Sequence, residues 1–183
     1  PIQVHGKYIL ASIKSGTIII DQKRAHQRVI YEEIVRGLAL SESSTQQQLF
    51  PINVELSSSD AKSLNGILEE VNLMGMHIEP FGKNNFIIQG LAPYIDEASA
   101  KDVIDELLEE FKQSGNLSTS KRQEKLAQAM ARKASIEHGK VLHVKEMNQL
   151  IDELFACNQP YAAPNGKPTL ITLSLDELEK RFG

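Results

Sequence analysis

Four side chains near the front of the chain could begin a metal site. Asp21 ends an apolar run, and His26, Glu32 and Glu33 follow it in the stretch DQKRAHQRVIYEEI. Carboxylates and imidazoles are ligands that divalent metals accept in proteins, so this spacing could supply part of a hydrolytic centre. An aspartate in front of a helical pattern is equally typical of an ordinary N-cap. The choice between the two decides whether the protein cuts something or holds something.

The elements that position these residues predict an α+β fold. Residues 7–13 and 17–20 are apolar and β-branched around a turn at 14–16, which indicates a hairpin that leads into the helix at Asp21. From residue 49 the hydrophobic pattern reads β-α-β-β-α, with a second hairpin turn at 82–85. Four further elements complete the prediction: helices at 121–137 and 144–155, a strand at 170–174 and a helix at 175–182.

Two polar stretches, 41–48 and 113–120, divide the chain and are typical of linkers. The simplest layout is one domain made from both chain ends, residues 1–48 and 114–183, with a second domain, 49–113, inserted into it. Two sequential domains would give a similar pattern, so periodicity alone leaves both layouts open.

Composition excludes several classes of protein. The formal charge of −4 gives no overall basic footprint for nucleic acid, so DNA contact is expected to be weak or indirect. The single Cys157 rules out an internal disulfide framework and suits a reducing compartment. No apolar run is long enough to span a bilayer, so we expect a cytoplasmic protein and no membrane partner. The chain starts at Pro1 without Met, which predicts that it is part of a longer protein.

Three separated stretches resemble one family, in its order. IIIDQKRAHQRVIYE is similar to the DQHA-x2-E-x4-E motif of the MutL mismatch-repair C-terminal domain. ARKASIEHGKVLHVKEMNQLI, from Ala131, resembles the family's ACR-type helix and the helix after it. NQPYAAPNGKPT, from Asn158, resembles its CPHGRPT signature. The resemblance implies a dimerisation subdomain, built from both chain ends, with a regulatory subdomain inserted into it.

Endonuclease members of that family bind divalent metals and nick DNA, and the positions that would bind the metal are altered here. The family's His is Lys23, its first Glu is Gln27, and only Asp21 and Glu32 are kept. At the ACR-like motif, Arg132 occupies the position of the family's Cys. At the CPH-like motif, Ala163 and Asn165 occupy the positions of its Cys and His. Side-chain cations repel a metal ion and alanine cannot ligate one. The resemblance therefore predicts no catalytic residue, no metal and no cofactor, with salt bridges from Lys23 and Arg132 near Asp21 in the metal's place.

The stretch QQQLFP resembles the short element by which bacterial MutL proteins are thought to touch the replicative sliding clamp. Gln46 would enter a small pocket, Leu49 and Phe50 would lie in an apolar cleft, and Pro51 completes the motif. The alternative is a linker that runs into a buried strand. Exposure of Phe50 would favour the clamp-binding interpretation.

Other candidate residues have simpler interpretations. We interpret His26 as a partly buried structural residue, His138 and His143 as surface residues, and Cys157 as a small core residue without a His partner. The helix from Ser120 to Lys133 carries five cations that could follow DNA phosphates, but a solvated helix face is favoured.

The function expected from these observations is that of a non-catalytic homodimerisation module of a MutL-like mismatch-repair protein. It would join two N-terminal ATPase domains and dock repair partners such as the sliding clamp. The apolar end strands favour a two-fold homodimer, and Ile9, Ile13, Ile18 and Leu170 are the predicted contacts. The alternative is a metal-dependent DNA-nicking endonuclease with a degenerate ligand set, and a third possibility is an unrelated small-molecule domain. The expected location is the bacterial cytosol, with nucleoid association when the protein is active.

Overall fold

The computed structural model describes residues 1–115 and 117–183. Over that part of the chain the protein is α+β, as predicted, with six α-helices and two antiparallel sheets. The strands are β1 (Ile2–Val4), β2 (Tyr8–Ile13), β3 (Gly16–Asp21), β4 (Gln46–Glu55), β5 (His77–Pro80), β6 (Asn85–Leu91) and β7 (Leu170–Ser174). The helices are α1 (Gln22–Leu40), α2 (Ser58–Leu73), α3 (Ala100–Ser114), α4 (Thr119–Ala134), α5 (Val144–Ala156) and α6 (Leu175–Phe182), and a short 3-10 helix (Glu97–Ser99) precedes α3.

The chain forms two compact units. One contains Pro1–Glu32 and Ser135–Gly183, and the other contains Glu33–Ala134. These limits differ from 49–113 because α1 continues to Leu40 and α4 packs against α3. The predicted linker 41–48 is shorter than expected, since β4 begins at Gln46. The predicted linker 113–120 includes residue 116, which lies outside the described residues, and α3 and α4 occupy both of its ends.

The first unit is built on the four-stranded antiparallel sheet β1-β2-β3-β7. Both hairpins that the sequence predicts are present in the chain, and the first closes through the pair Ile13 and Gly16. Gly16 is required there: its φ is +152°, and a Cβ would lie 2.2 Å from the Leu173 carbonyl oxygen. β1 was not predicted, because three residues carry too little periodicity to be recognised.

Alternation along the strands gives this sheet two different faces. Its inner face packs against α1 and α5, and the core comprises Ile9, Ile18, Ile20, Ala25, Leu142, Met147, Leu150 and Leu154. On the outer face, the register places Ile2 beside Leu10, Leu10 beside Ile19, and Ile19 beside Ile171. We call these four residues the outer row. Ile2 and Ile171 are 69% and 58% exposed.

The second unit contains the three-stranded sheet β4-β6-β5, with α2 against β5, α3 against α2, and α4 against α3. Ser57 caps α2 by accepting a hydrogen bond from the Asp60 backbone N–H. Leu64, Ile67 and Val71 form the buried side of α2, and Val103, Ile104 and Leu107 form that of α3. Among the described residues no helix is both long and apolar enough to cross a membrane.

Candidate functional site

Asp21 is the N-cap of α1. Its Oδ1 accepts a hydrogen bond from the Arg24 backbone N–H at 3.1 Å, and its Oδ2 lies 3.5 Å from Arg24 Nε. Its own backbone N–H donates to the Thr169 carbonyl at 2.8 Å. The carboxylate is thus engaged by a helix terminus and a guanidinium. These are the contacts of a capped helix, and a metal bound to this carboxylate would compete with the Arg24 guanidinium.

Glu32 has a similar structural role about three turns later in α1. Its two carboxylate oxygens accept the backbone N–H groups of Asn158 and Gln159 at 2.7 and 3.0 Å. The same carboxylate lies 3.4 Å from Arg28 Nη1, and the Glu32 side chain is 17% exposed. Glu32 therefore fixes the start of the loop that leads from α5 to β7.

Two arginines bind that loop from the same helix. Arg28, only 6% exposed, donates from Nε to the Ala162 carbonyl at 2.6 Å, and Arg24 donates from Nη1 to the Pro168 carbonyl at 3.1 Å. Arg24, Arg28 and Glu32 are four residues apart, so they share one side of the helix. We call Asp21, Arg24, Arg28 and Glu32 the α1 polar row. Sequence reasoning missed both arginines, although their i, i+4, i+8 spacing with Glu32 was visible.

The loop 158–169 has internal bonds of its own. Ala163 donates its N–H to the Lys167 carbonyl at 2.8 Å, and Gly166 donates to the Ala163 carbonyl at 2.9 Å. Asn165 Oδ1 accepts the Lys167 N–H at 3.1 Å, and the Thr169 hydroxyl donates to the Pro160 carbonyl. Ala163 is 1% exposed. The structure thus brings Ala163 and Asn165 into a folded turn that is tied to α1.

The donor set of this region does not fit a divalent metal ion. Among residues 1–115 and 117–183 there is no group of three or more His, Cys, Asp or Glu side chains suited to a metal. Asp21 and Glu32 are each already paired with an arginine. A cation bound there would meet two guanidinium charges at close range. Gln27, on the same helix, is 9% exposed.

Salt bridges are present at these positions, but the cation that pairs with Asp21 is neither of the two predicted. The cation that pairs with Asp21 is Arg24, rather than Lys23 or Arg132. Arg132 belongs to the second unit and pairs with Glu106 and, at 3.6 Å, with Glu110. Sequence spacing could not choose among three cations, because the choice depends on which side of α1 faces the loop.

His26 is a structural residue of the first unit. Its Nδ1 accepts the Ile136 backbone N–H at 3.0 Å. Burial, with a smaller contribution from nearby Lys140, lowers the pKa of His26 from 6.5 to about 4. A neutral imidazole at neutral pH suits the accepting role, since Nδ1 must be unprotonated to receive that bond.

The clamp-like segment belongs to β4 but leaves its hydrogen-bonded ladder. Gln46 and Gln47 pair with Leu91 and Gly90, and pairing resumes only at Ile52. The intervening residues include Leu49 and Phe50, which are 87% and 76% exposed, and Pro51, which has no N–H to donate. The structure thus gives the exposure of Phe50 that the clamp-binding interpretation requires. The buried-strand alternative does not describe these residues.

The predicted dimer contacts lie on the inner face of the first sheet. Ile9 and Ile18 are 0% and 4% exposed in its core, so they pack inside their own unit, which disfavours them as contacts with a second copy. Ile13 is 39% exposed and Leu170 is half-buried, and by register both belong to the same inner face. The sequence did not reveal this burial because β3 is apolar on both faces, and a strand alone does not show which face its own helices cover.

The basic stripe on α4 is largely neutralised within its unit. Arg122 pairs with Glu70, Arg132 pairs with Glu106, and Lys133 Nζ lies 3.0 Å from Asp102. Three of the five cations are therefore engaged by acids. This geometry favours a solvated, ion-paired helix face over a phosphate-binding stripe.

Comparison with known proteins identifies similar sequences. Residues 2–142 match the family model described as the MutL C terminal dimerisation domain. The chain is 34% identical over 180 residues to the DNA mismatch repair protein MutL of Flavobacterium johnsoniae, with 98% of this chain and 28% of that protein covered. It is also 34% identical over 181 residues to the MutL of Chlorobaculum tepidum, with 99% and 29% covered. The chain thus spans less than a third of the length of these curated relatives.

Proposed function

Because the chain belongs to the MutL C-terminal dimerisation domain family, we propose that it is the non-catalytic module that joins two copies of a DNA mismatch-repair protein. In the longer protein it would hold two N-terminal ATPase domains in one assembly, in the bacterial cytoplasm and at the nucleoid when active. The observation that carries the proposal is the outer row of the first sheet, four aligned apolar side chains of which Ile2 and Ile171 are largely exposed. Contiguous exposed apolar surface of this kind is typical of a protein interface.

The outer row suits a second copy of the same chain. A two-fold interface uses one patch on both partners, so an apolar row meets an identical row and leaves no charge unpaired. The outer row replaces the inner-face residues as the proposed contact. Ile13 and Leu170, at the margin of the inner face, are not needed for it.

Sedimentation equilibrium from sub-micromolar concentration upward tests this proposal. We expect a dimer in the native chain and a dimer dissociation constant at least tenfold higher in Ile171→Glu, a loss of about 1.4 kcal/mol or more. Thr172→Glu is the matched control, because Thr172 is an exposed neighbour on the opposite face of the same strand. A native chain that is monomeric at every concentration would refute the dimerisation role.

We also propose that the module works without a metal or cofactor of its own. Support comes from the α1 polar row, in which arginines already neutralise both remaining acids. Titration calorimetry with Mn²⁺ and with Zn²⁺ should show no binding in the micromolar range, and supercoiled plasmid should stay uncut. Micromolar binding together with nicking would instead establish the alternative, a metal-dependent endonuclease with a degenerate ligand set.

A docking role for Gln46, Leu49, Phe50 and Pro51 toward the sliding clamp is a further part of the proposal. It is supported by the break in the β4 ladder and by the exposure of both apolar side chains. Extended segments whose side chains fill alternate pockets are a common form of peptide recognition. Other mismatch-repair proteins would meet the dimer through separate surfaces, and DNA contact would be weak or indirect.

Binding to the purified bacterial sliding clamp, measured by surface plasmon resonance, tests the docking role. The double variant Leu49→Ser, Phe50→Ser should lose at least tenfold in affinity, because both apolar anchors are removed. Phe81→Ser is the matched control, since Phe81 is a 63% exposed aromatic of the same unit outside the motif. Equal binding by the native chain and the double variant would exclude this segment as the docking element.

A further inference from the structure

The last helix, α6, is amphipathic but lacks a buried residue. Leu175, Leu178 and Phe182 recur at i, i+3 and i+7, which aligns them on one side of the helix. We call these three residues the α6 stripe. Leu175 is 51% exposed and Phe182 is 90% exposed, and although all eight residues of α6 are described, none is buried.

Local signals specify this helix strongly. The Ser174 side chain accepts the Glu177 backbone N–H while the Glu177 carboxylate accepts the Ser174 N–H, so the two form a capping box. Lys180 and Arg181 lie in the last turn, where they favour the helix dipole. Yet isolated helices shorter than about 12 residues are marginal in water, and most helical stability in proteins comes from packing of an apolar face. The α6 stripe therefore indicates a packing partner.

The position of α6 in the fold indicates what that partner is. α6 follows directly from β7, an edge strand of the first sheet, and its first N–H donates to the Ser15 carbonyl at 3.1 Å. β7 carries Ile171 of the outer row, and Leu173 lies on the same face by register. The apolar surface proposed for dimerisation is thus continued along the chain into the α6 stripe.

The face of the first sheet is smaller than the surface that a stable dimer usually buries, which favours an interface that extends beyond the sheet. Four strands spaced about 4.8 Å apart, with about five residues each at ~3.3 Å, give a face of roughly 320 Å². A standard interface buries about 800 Å² of accessible surface on each partner. Eight helical residues add a strip about 12 Å long and about 10 Å wide, or roughly 120 Å². Including α6 brings the surface closer to that of a stable dimer.

We propose that α6 is an intermolecular packing element, and that its stripe is covered by the β7–α6 segment of a second copy of the chain. Two-fold symmetry makes this contact reciprocal, because each copy presents the same segment to the other. The inference rests on the proposed dimerisation and adds a defined contact to it. α6 then gains in the dimer the packing that a single chain does not give it.

Dimer dissociation constants of two matched double variants test the proposal in the full 183-residue chain. Leu178→Gln with Phe182→Gln removes most of the stripe but keeps good helix formers, and it should raise the dissociation constant at least tenfold. Asp176→Gln with Lys180→Gln makes the same number of changes on the charged side of α6, and it should stay within about twofold of native, since exposed charges contribute little. Equal constants for the stripe variant and the native chain would overturn the proposal.

Hydrogen exchange gives a second, independent reading. The backbone amides of Leu175–Phe182 should be protected at concentrations where the native chain is dimeric and should lose protection on dilution to the monomer. Protection that is independent of concentration would show that the chain covers α6 by itself. Absence of protection in the dimer would show that nothing covers α6. Either result overturns the proposal. A native chain that never dimerises would instead refute the dimerisation role itself, so the two failures are distinguishable.

Discussion

Replacing Glu32 by Ala should weaken the first unit by removing the acid that secures the 158–169 loop. The change deletes two charge-assisted hydrogen bonds, from the Asn158 and Gln159 N–H groups. It also removes the ion-pair partner of Arg28, whose side chain is 7% exposed. A hydrogen bond to a charged group contributes about 1.5–3 kcal/mol, and breaking a buried ion pair costs about 3–5 kcal/mol. Asn158 and Gln159 are themselves exposed, so water partly replaces their lost partner. We therefore expect a loss of roughly 2–4 kcal/mol in the free energy of unfolding.

Urea unfolding of the 183-residue chain measures this loss. Glu137→Ala is a suitable control, because Glu137 is an exposed acid, and substitutions of that kind usually change stability by less than about 0.5 kcal/mol. Hydrogen exchange should show that the lost stability is accompanied by faster exchange at the two loop amides. If Glu32→Ala costs no more than the control, the acid is not a structural anchor and the reasoning about the α1 polar row fails.

Three further outcomes are expected from urea unfolding. The pKa of His26 is about 4 in the folded state and 6.5 in the unfolded state, so the unfolded chain binds a proton first as pH falls. The free energy of unfolding should therefore fall by roughly 2–3 kcal/mol as pH drops from about 6.5 to about 4. His26→Gln should flatten that profile. Gly16→Ala should cost more than about 2 kcal/mol because its Cβ would collide with the Leu173 carbonyl of β7, and an unchanged midpoint would contradict this. Ser41 ends α1 with a φ of +53°, so Ser41→Gly should gain about 0.5–1 kcal/mol, and a loss would show that the residue is not strained.

In the metal-free module that we propose, the α1 polar row would serve as scaffolding. Asp21 caps α1, and Glu32 holds the start of the loop. Arg24 and Arg28 supply the positive charge that pairs with both acids.

The sequence by itself determined the elements whose signals are local. The turn at 14–16 and the hairpin at 82–85 were predicted correctly, because turn chemistry acts within a few residues. The family motifs also came from the sequence, since they are defined by residue type and order.

Features that depend on residues distant in the sequence, such as strand pairing, ion-pair choice and burial of a sheet face, were determined only by the tertiary structure. β1 exists because β2 offers it a ladder, and the boundary between the two units falls within α1 rather than at the predicted linker. The choice of Arg24 over Lys23 depends on which side of α1 meets the loop. The face of the first sheet that is free for a second copy depends on which face α1 and α5 cover. Ile9 and Ile19 are both apolar strand residues, and only helix packing makes one of them core and the other surface.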